Sequence, residues 1–85
     1  MEYRRKSEVV SAWKVAADYV MVEQSFLDMA ADPGNGVVYE EGVELSIQHG
    51  NVTVHVAPDE WVVFIGGTAW SMDDESFNDT FEPTT

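Results

Sequence analysis

Two hydrophobic periods succeed one another along this chain. From residue 8 to 15 the period is two: Val9, Ser11, Trp13 and Val15 fall on one side, and Glu8, Val10, Ala12 and Lys14 on the other. That is the pattern of a half-buried strand, and it predicts a first strand from Tyr3 to Val15. Between 18 and 31 the period lengthens. Tyr19, Val22, Phe26 and Met29 recur at helical spacing, Val20, Leu27 and Ala30 widen the stripe, and Asp18 is placed to cap the N-terminus, so a helix is predicted over 18 to 31. Asp32-Pro33-Gly34-Asn35-Gly36 ends it, since proline cannot continue the hydrogen-bond ladder. Residues 32 to 42 read as a loose connection of acidic and small residues.

The second half returns to period two. Val43, Leu45 and Ile47 alternate with Glu44, Ser46 and Gln48, and Val52, Val54 and Val56 alternate with Thr53 and His55. A two-residue turn at Gly50-Asn51 sets His49 opposite Val52, Ile47 opposite Val54 and Leu45 opposite Val56, so apolar side chains face apolar side chains. A second turn at Gly66-Gly67 sets Ile65 opposite Thr68, Val63 opposite Trp70 and Trp61 opposite Met72. Val62 and Phe64 are apolar as well, so this strand is expected to be central and covered on both faces. Pro58-Asp59 forms the corner between the hairpins. Asp73 can cap a short terminal helix that places Phe77 and Phe81 on one face, the latter pinning the C-terminal segment to the sheet. The expected fold is one α+β domain over 1 to 85: a small twisted antiparallel sheet of about four or five strands, one main helix packed on a face, and a short C-terminal helix.

Charge changes the functional picture more than the fold. The 85 residues carry 4 Lys+Arg against 16 Asp+Glu, a formal net charge of −12. All the cations, Arg4, Arg5, Lys6 and Lys14, lie in the first fourteen residues, and residues 15 to 85 contain no Lys or Arg. Such a body is repelled by nucleic-acid phosphate, so direct DNA or RNA binding is disfavoured. The acids either solvate the surface or form a face recognised by a basic macromolecule. With no cysteine, disulfides, thiolate catalysis and cysteine-ligated zinc are excluded, in keeping with a reducing compartment. The apolar stretch after the N-terminal basic cluster is broken by Ser11 and Lys14, so neither a signal peptide nor a membrane span is expected.

Catalytic chemistry finds little support. His49 and His55 are the only histidines, one near a turn and one on a polar strand face, away from any carboxylate triad. No nucleophile-elbow pattern surrounds a serine. Gly34-Asn35-Gly36 and Gly66-Gly67 lack the lysine and spacing of a phosphate loop. The groups Glu40-Glu41 and Asp73-Asp74-Glu75 lack the alternation and glycine of a calcium loop. No metal, cofactor or catalytic residue is assigned. Trp13, Trp61 and Trp70 are read as core, all three turned inward by the strand register, although a half-exposed indole would mark a binding surface.

Two segments carry a family resemblance. Glu2-Tyr3-Arg4-Arg5-Lys6-Ser7-Glu8-Val9-Val10-Ser11-Ala12-Trp13 resembles the Lys-Tyr-Arg-Lys-Lys-Pro-Val-Val-x-Glu-Ala opening of small tailed-phage and prophage proteins without an agreed function. Their C-terminal Pro-Gly-Asp-Trp-Ile-Ile-x-Gly signature, hairpin arm and Phe-x-x-x-Tyr-Glu-Pro tail are similar to Pro58-Asp59-Glu60-Trp61-Val62-Val63-Phe64-Ile65-Gly66, Trp70-Ser71-Met72 and Phe77-Asn78-Asp79-Thr80-Phe81-Glu82-Pro83. Asp59 stands where the family has glycine, Ser7 where it has proline, and Ile65 where a basic residue is common. The resemblance implies phage or prophage origin and the cytoplasm of a bacterial host; it carries over no activity and no site residue.

The expected function is therefore that of a phage-encoded, non-enzymatic accessory protein. It would bind a basic host or phage protein, as an inhibitor or nucleic-acid mimic, through acids drawn from Glu40, Glu41, Glu44, Asp73, Asp74, Glu75 and Asp79. The alternative is a small-molecule protein holding a nucleotide signal with Arg4, Arg5, Lys6 and Lys14, since an anionic ligand needs cations and these are the whole supply. A structural virion component is a third reading. Exposed sheet edges leave pairing into a homodimer open.

Overall fold

The computed structural model describes residues 2–5 and 8–83. The order of elements is β1 (Glu2–Arg5), β2 (Glu8–Lys14), α1 (Gln24–Ala31), a 3-10 turn (Pro33–Asn35), β3 (Val37–Glu40), β4 (Glu44–His49), β5 (Val52–His55), β6 (Trp61–Ile65), β7 (Thr68–Met72), α2 (Asp74–Thr80) and β8 (Glu82–Pro83). The strands form two antiparallel sheets: five strands in the order β7-β6-β2-β1-β8, and three in the order β3-β4-β5. The α+β class holds, with the main helix and the short C-terminal helix in place. The single sheet expected is instead two, because β3 and the first hairpin of the second half pair with each other and with no strand of the five.

The first strand is not continuous. β1 and β2 are a hairpin in which Arg4 lies opposite Val9 and Glu2 opposite Ser11. The alternation from Val9 to Val15 belongs to β2, and β2 is central: β6 pairs on its other side with Ala12 opposite Val63. Its neighbours satisfy both edges of the strand, and layers packed on both faces of the sheet, α1 with the three-stranded sheet on one and α2 on the other, are why its apolar residues alternate between two cores. Trp13 and Val15 pack with Val62 on one face, and Val10 and Ala12 pack with Trp61 and Val63 on the other. Both hairpin registers are as the turns require, with Ile47 opposite Val54 and Val63 opposite Trp70. Gly66 and Gly67 both have positive φ, 57° and 80°, the conformation that matches the twist of paired strands in a two-residue turn.

The helix is shorter than its hydrophobic period suggests: α1 begins at Gln24, not 18, and has 8 residues. Tyr19 sits at φ 58°, a left-handed conformation that stops a helix from passing through it. Side chains from the three-stranded sheet and its flank satisfy the backbone there. The Tyr39 hydroxyl donates to the Tyr19 carbonyl at 2.9 Å and accepts from the Met21 N–H at 2.7 Å, while the Tyr19 hydroxyl donates to the Val56 carbonyl at 3.2 Å. Asp18 caps a local turn, accepting from the Val20 N–H at 3.1 Å, rather than a helix. Val22, counted on the buried stripe, is 85% exposed.

The loose stretch 32 to 42 contains a strand. Gly36, at φ 71°, ends the 3-10 turn just before β3, and its carbonyl accepts from the Gln48 N–H at 2.8 Å. A Cβ on Gly36 would stand 2.8 Å from the Gln48 carbonyl oxygen, so only glycine fits this approach. Val43, expected in a strand, lies in the β3–β4 turn and is exposed. The Asp59 corner is left-handed at φ 69°, and its N–H donates to the Val15 carbonyl at 3.0 Å, joining the corner to the end of β2.

Candidate functional site

Asp73 and Asp74 are used by the fold. The Asp73 carboxylate caps α2 by accepting from the Ser76 N–H at 2.7 Å, and this hydrogen bond holds its pKa below the ordinary carboxylate value. Asp74 accepts from the Trp61 indole N–H at 2.9 Å and lies 3.4 Å from the Lys14 ammonium. Its pKa is lowered as well, first by the indole hydrogen bond, which desolvation opposes, and further by Lys14. Glu75 and Asp79 are exposed on the same helix.

The other acidic group is arranged differently. Glu40 on β3 lies directly opposite Glu44 on β4, with Glu41 in the turn between them, and all three are exposed. The Gly42 N–H donates to the Tyr19 carbonyl at 3.0 Å, which brings exposed Asp18 to the same corner. The spacing of Asp18 in the sequence suits a helix cap; only the tertiary contacts of Tyr19 place it here. The two acidic groups lie on opposite sides of the five-stranded sheet. The β3–β4 hairpin belongs to the layer holding Val37, Leu45 and Ile47, and α2 to the layer holding Phe77 and Phe81.

The backbone register places Arg4 far from Lys14. Lys6 lies outside the described residues. Arg4 is opposite Val9, five residues from Lys14 along β2, about 17 Å at strand rise. Lys14 is engaged with Asp74. The hollow beside it, 230 Å³, is lined chiefly by Trp13, Lys14, Val20 and Met21.

The tryptophans divide two to one. Trp13 is buried and donates to the Ser25 hydroxyl at 3.0 Å; Trp61 is buried and stacks on Phe77 with ring centroids 3.7 Å apart. Trp70 is 50% exposed, so the expectation that all three turn inward fails there. Its partner in the register, Val63, is buried, but β7 is an edge strand, and at the rim of the sheet half of the ring stays open to solvent. His49 from the three-stranded sheet stacks on Trp70 at 4.8 Å, 28° from parallel. Next to Trp70 runs a groove of 360 Å³ lined by Val63, Ile65, Trp70, Ser71, Met72 and Phe81. His55 is exposed opposite Ser46, on the outer face of β5. Among the described residues no three His, Asp or Glu side chains are grouped to hold a metal ion, and no helix is long and apolar enough to cross a membrane.

No family model matches this chain, and no curated protein or solved structure matches it either. Function is argued from geometry.

Proposed function

We propose that this chain is a phage-encoded, non-enzymatic accessory protein that binds a basic host or phage protein through the acidic hairpin Glu40, Glu41 and Glu44, with Asp18 beside it. The observation that carries this reading is the Glu40–Glu44 pair. Like charges directly across two strands weaken a hairpin, and a lysine at either position would relieve the repulsion, so the arrangement works against the stability of the fold. It makes physical sense as a surface kept negative for a ligand. Exposed Val43 at the tip adds an apolar contact to the charged one, a combination that suits a protein partner. The phage assignment rests on the two terminal motifs.

Complementary charge acts mainly on the rate of encounter, and salt screens it over about 8 to 10 Å at ordinary ionic strength. The test is capture of the tagged protein's partner from host lysate, followed by association kinetics of the purified pair from low to high salt. Association that slows with salt, and slows further in Glu40→Gln/Glu41→Gln/Glu44→Gln, is the expected result. A rate indifferent to both would overturn the reading.

A further inference from the structure

The groove beside Trp70 lies on the other side of the central sheet from the acidic hairpin and goes beyond the function proposed for it. Three observations meet there. The first is an aromatic ring held in place and left open: Trp70 is stacked on His49 from one side and half exposed, so its orientation is set before anything binds. Rigid aromatic side chains with little entropy left to lose are the usual anchors of protein contacts. The second is an apolar floor, Val63, Ile65, Met72 and Phe81, beside that ring, with 360 Å³ of space above it. The third is charge. The groove is built from residues 63 to 81, a stretch with no Lys or Arg, and Met72 in its lining is followed at once by exposed Asp73.

We infer that this groove is a docking site for a short segment of another protein that inserts aliphatic side chains beside Trp70 and carries lysine or arginine around them. Charge decides between occupants. A second copy of this chain would bring another net −12 against a body with no Lys or Arg after residue 14, and nucleic acid would bring phosphate; both are repelled. A basic segment is attracted, and its apolar residues find the groove beside Trp70 that α2 leaves uncovered. The β7 edge beside it adds backbone groups that an extended segment can pair with, the mode in which main-chain hydrogen bonds supply affinity and side-chain pockets supply specificity.

The test uses the full chain, labelled for NMR, and three synthetic heptapeptides. The first is acetyl-Lys-Leu-Lys-Ile-Lys-Leu-Lys-amide; the second replaces Leu and Ile by Ser; the third replaces Lys by Gln. Shifts of the Val63, Ile65, Trp70, Ser71, Met72 and Phe81 amides with the first peptide, and affinity for it about fivefold or more above that for either control, are expected. Trp70→Ala should weaken the first peptide by about fivefold or more while Trp70→Phe keeps most of the affinity. Glu40→Gln/Glu41→Gln/Glu44→Gln should leave this binding in place, which separates failure of the groove from failure of the hairpin reading. Equal binding of the serine peptide, equal binding of the glutamine peptide, shifts centred on the hairpin, or an unchanged affinity in folded Trp70→Ala would each overturn the inference.

Discussion

The two faces of the five-stranded sheet are covered in different ways, and the difference separates stability from availability. One face is closed by a second sheet and α1 together. Phe26 sits at its centre, edge-on to Trp13 at 5.6 Å and to Tyr39 at 5.4 Å, with Val15, Leu45, Ile47, Val56 and Val62 fully buried around it. Among the described residues, the other face has only α2, seven residues long, laid over Trp61. Its aromatic rings stack rather than interlock: Phe77 is nearly parallel to Trp61 and lies 5.1 Å from Phe81. A helix of two turns cannot cover five strands. What it leaves bare is the β7 rim, where Trp70 and its groove are.

The strongest way to break this comparison is to empty each core in turn. Phe26→Ala should cost about 4 kcal/mol and lower the urea midpoint for all probes together, since Phe26 joins both sheets and α1. Phe77→Ala should cost about 3 kcal/mol and, by hydrogen exchange, release α2 before the β3-β4-β5 sheet. Equal and simultaneous loss of protection everywhere in both variants would mean that the two faces are one cooperative core.

Gly36→Ala probes the closed side from its margin. A Cβ there meets the Gln48 carbonyl and must also adopt a left-handed backbone, so a loss of about 2 kcal/mol in thermal or chemical denaturation is expected. A smaller effect falls on the acidic hairpin. Glu44→Lys should gain about 0.5 kcal/mol by turning a cross-strand repulsion into an attraction, yet slow association with a basic partner. A variant that gained stability and bound equally well would remove the reason given for the glutamate pair.

The smallest effect sharpens the comparison by pH. Asp73 and Asp74 have folded-state pKa values below the ordinary 3.8, so their contribution to α2 is full above that value and is lost as pH falls through the lowered ones. Acidification should therefore fray α2 and alter Trp61 fluorescence while Trp13, on the closed face, is unchanged. Asp74→Asn should reduce the Trp61 response. A Trp13 environment that changed at the same pH would contradict the separation.

Much of the architecture was legible because its signals are local. The Gly50-Asn51 and Gly66-Gly67 turns set the strand pairing, and once a turn is chosen a period of two decides every opposite residue. Asp73 capping α2, and Phe77 and Phe81 on one face, follow from spacing within eight residues. The helix limit was not legible, because the same apolar period serves a helix and a loop that buries Tyr19 and Met21. It is Tyr39 and Val56, 20 and 37 residues away from Tyr19, that hold the loop open. Of the acids named from sequence, Glu40, Glu41 and Glu44 are one exposed group; Asp73 and Asp74 turned out to be bound into α2, which no count of charges reveals.

By itself, the order of residues determined the charge of the body, the two hairpins and the class of fold. Each of these depends on neighbours in the chain or on composition alone. Tertiary structure decided how many sheets there are, that Asp18 joins the acidic hairpin, and that Trp70 faces solvent while Trp13 and Trp61 do not. Side chains alternate faithfully along a strand, but whether the space they point into is filled depends on elements far away in sequence.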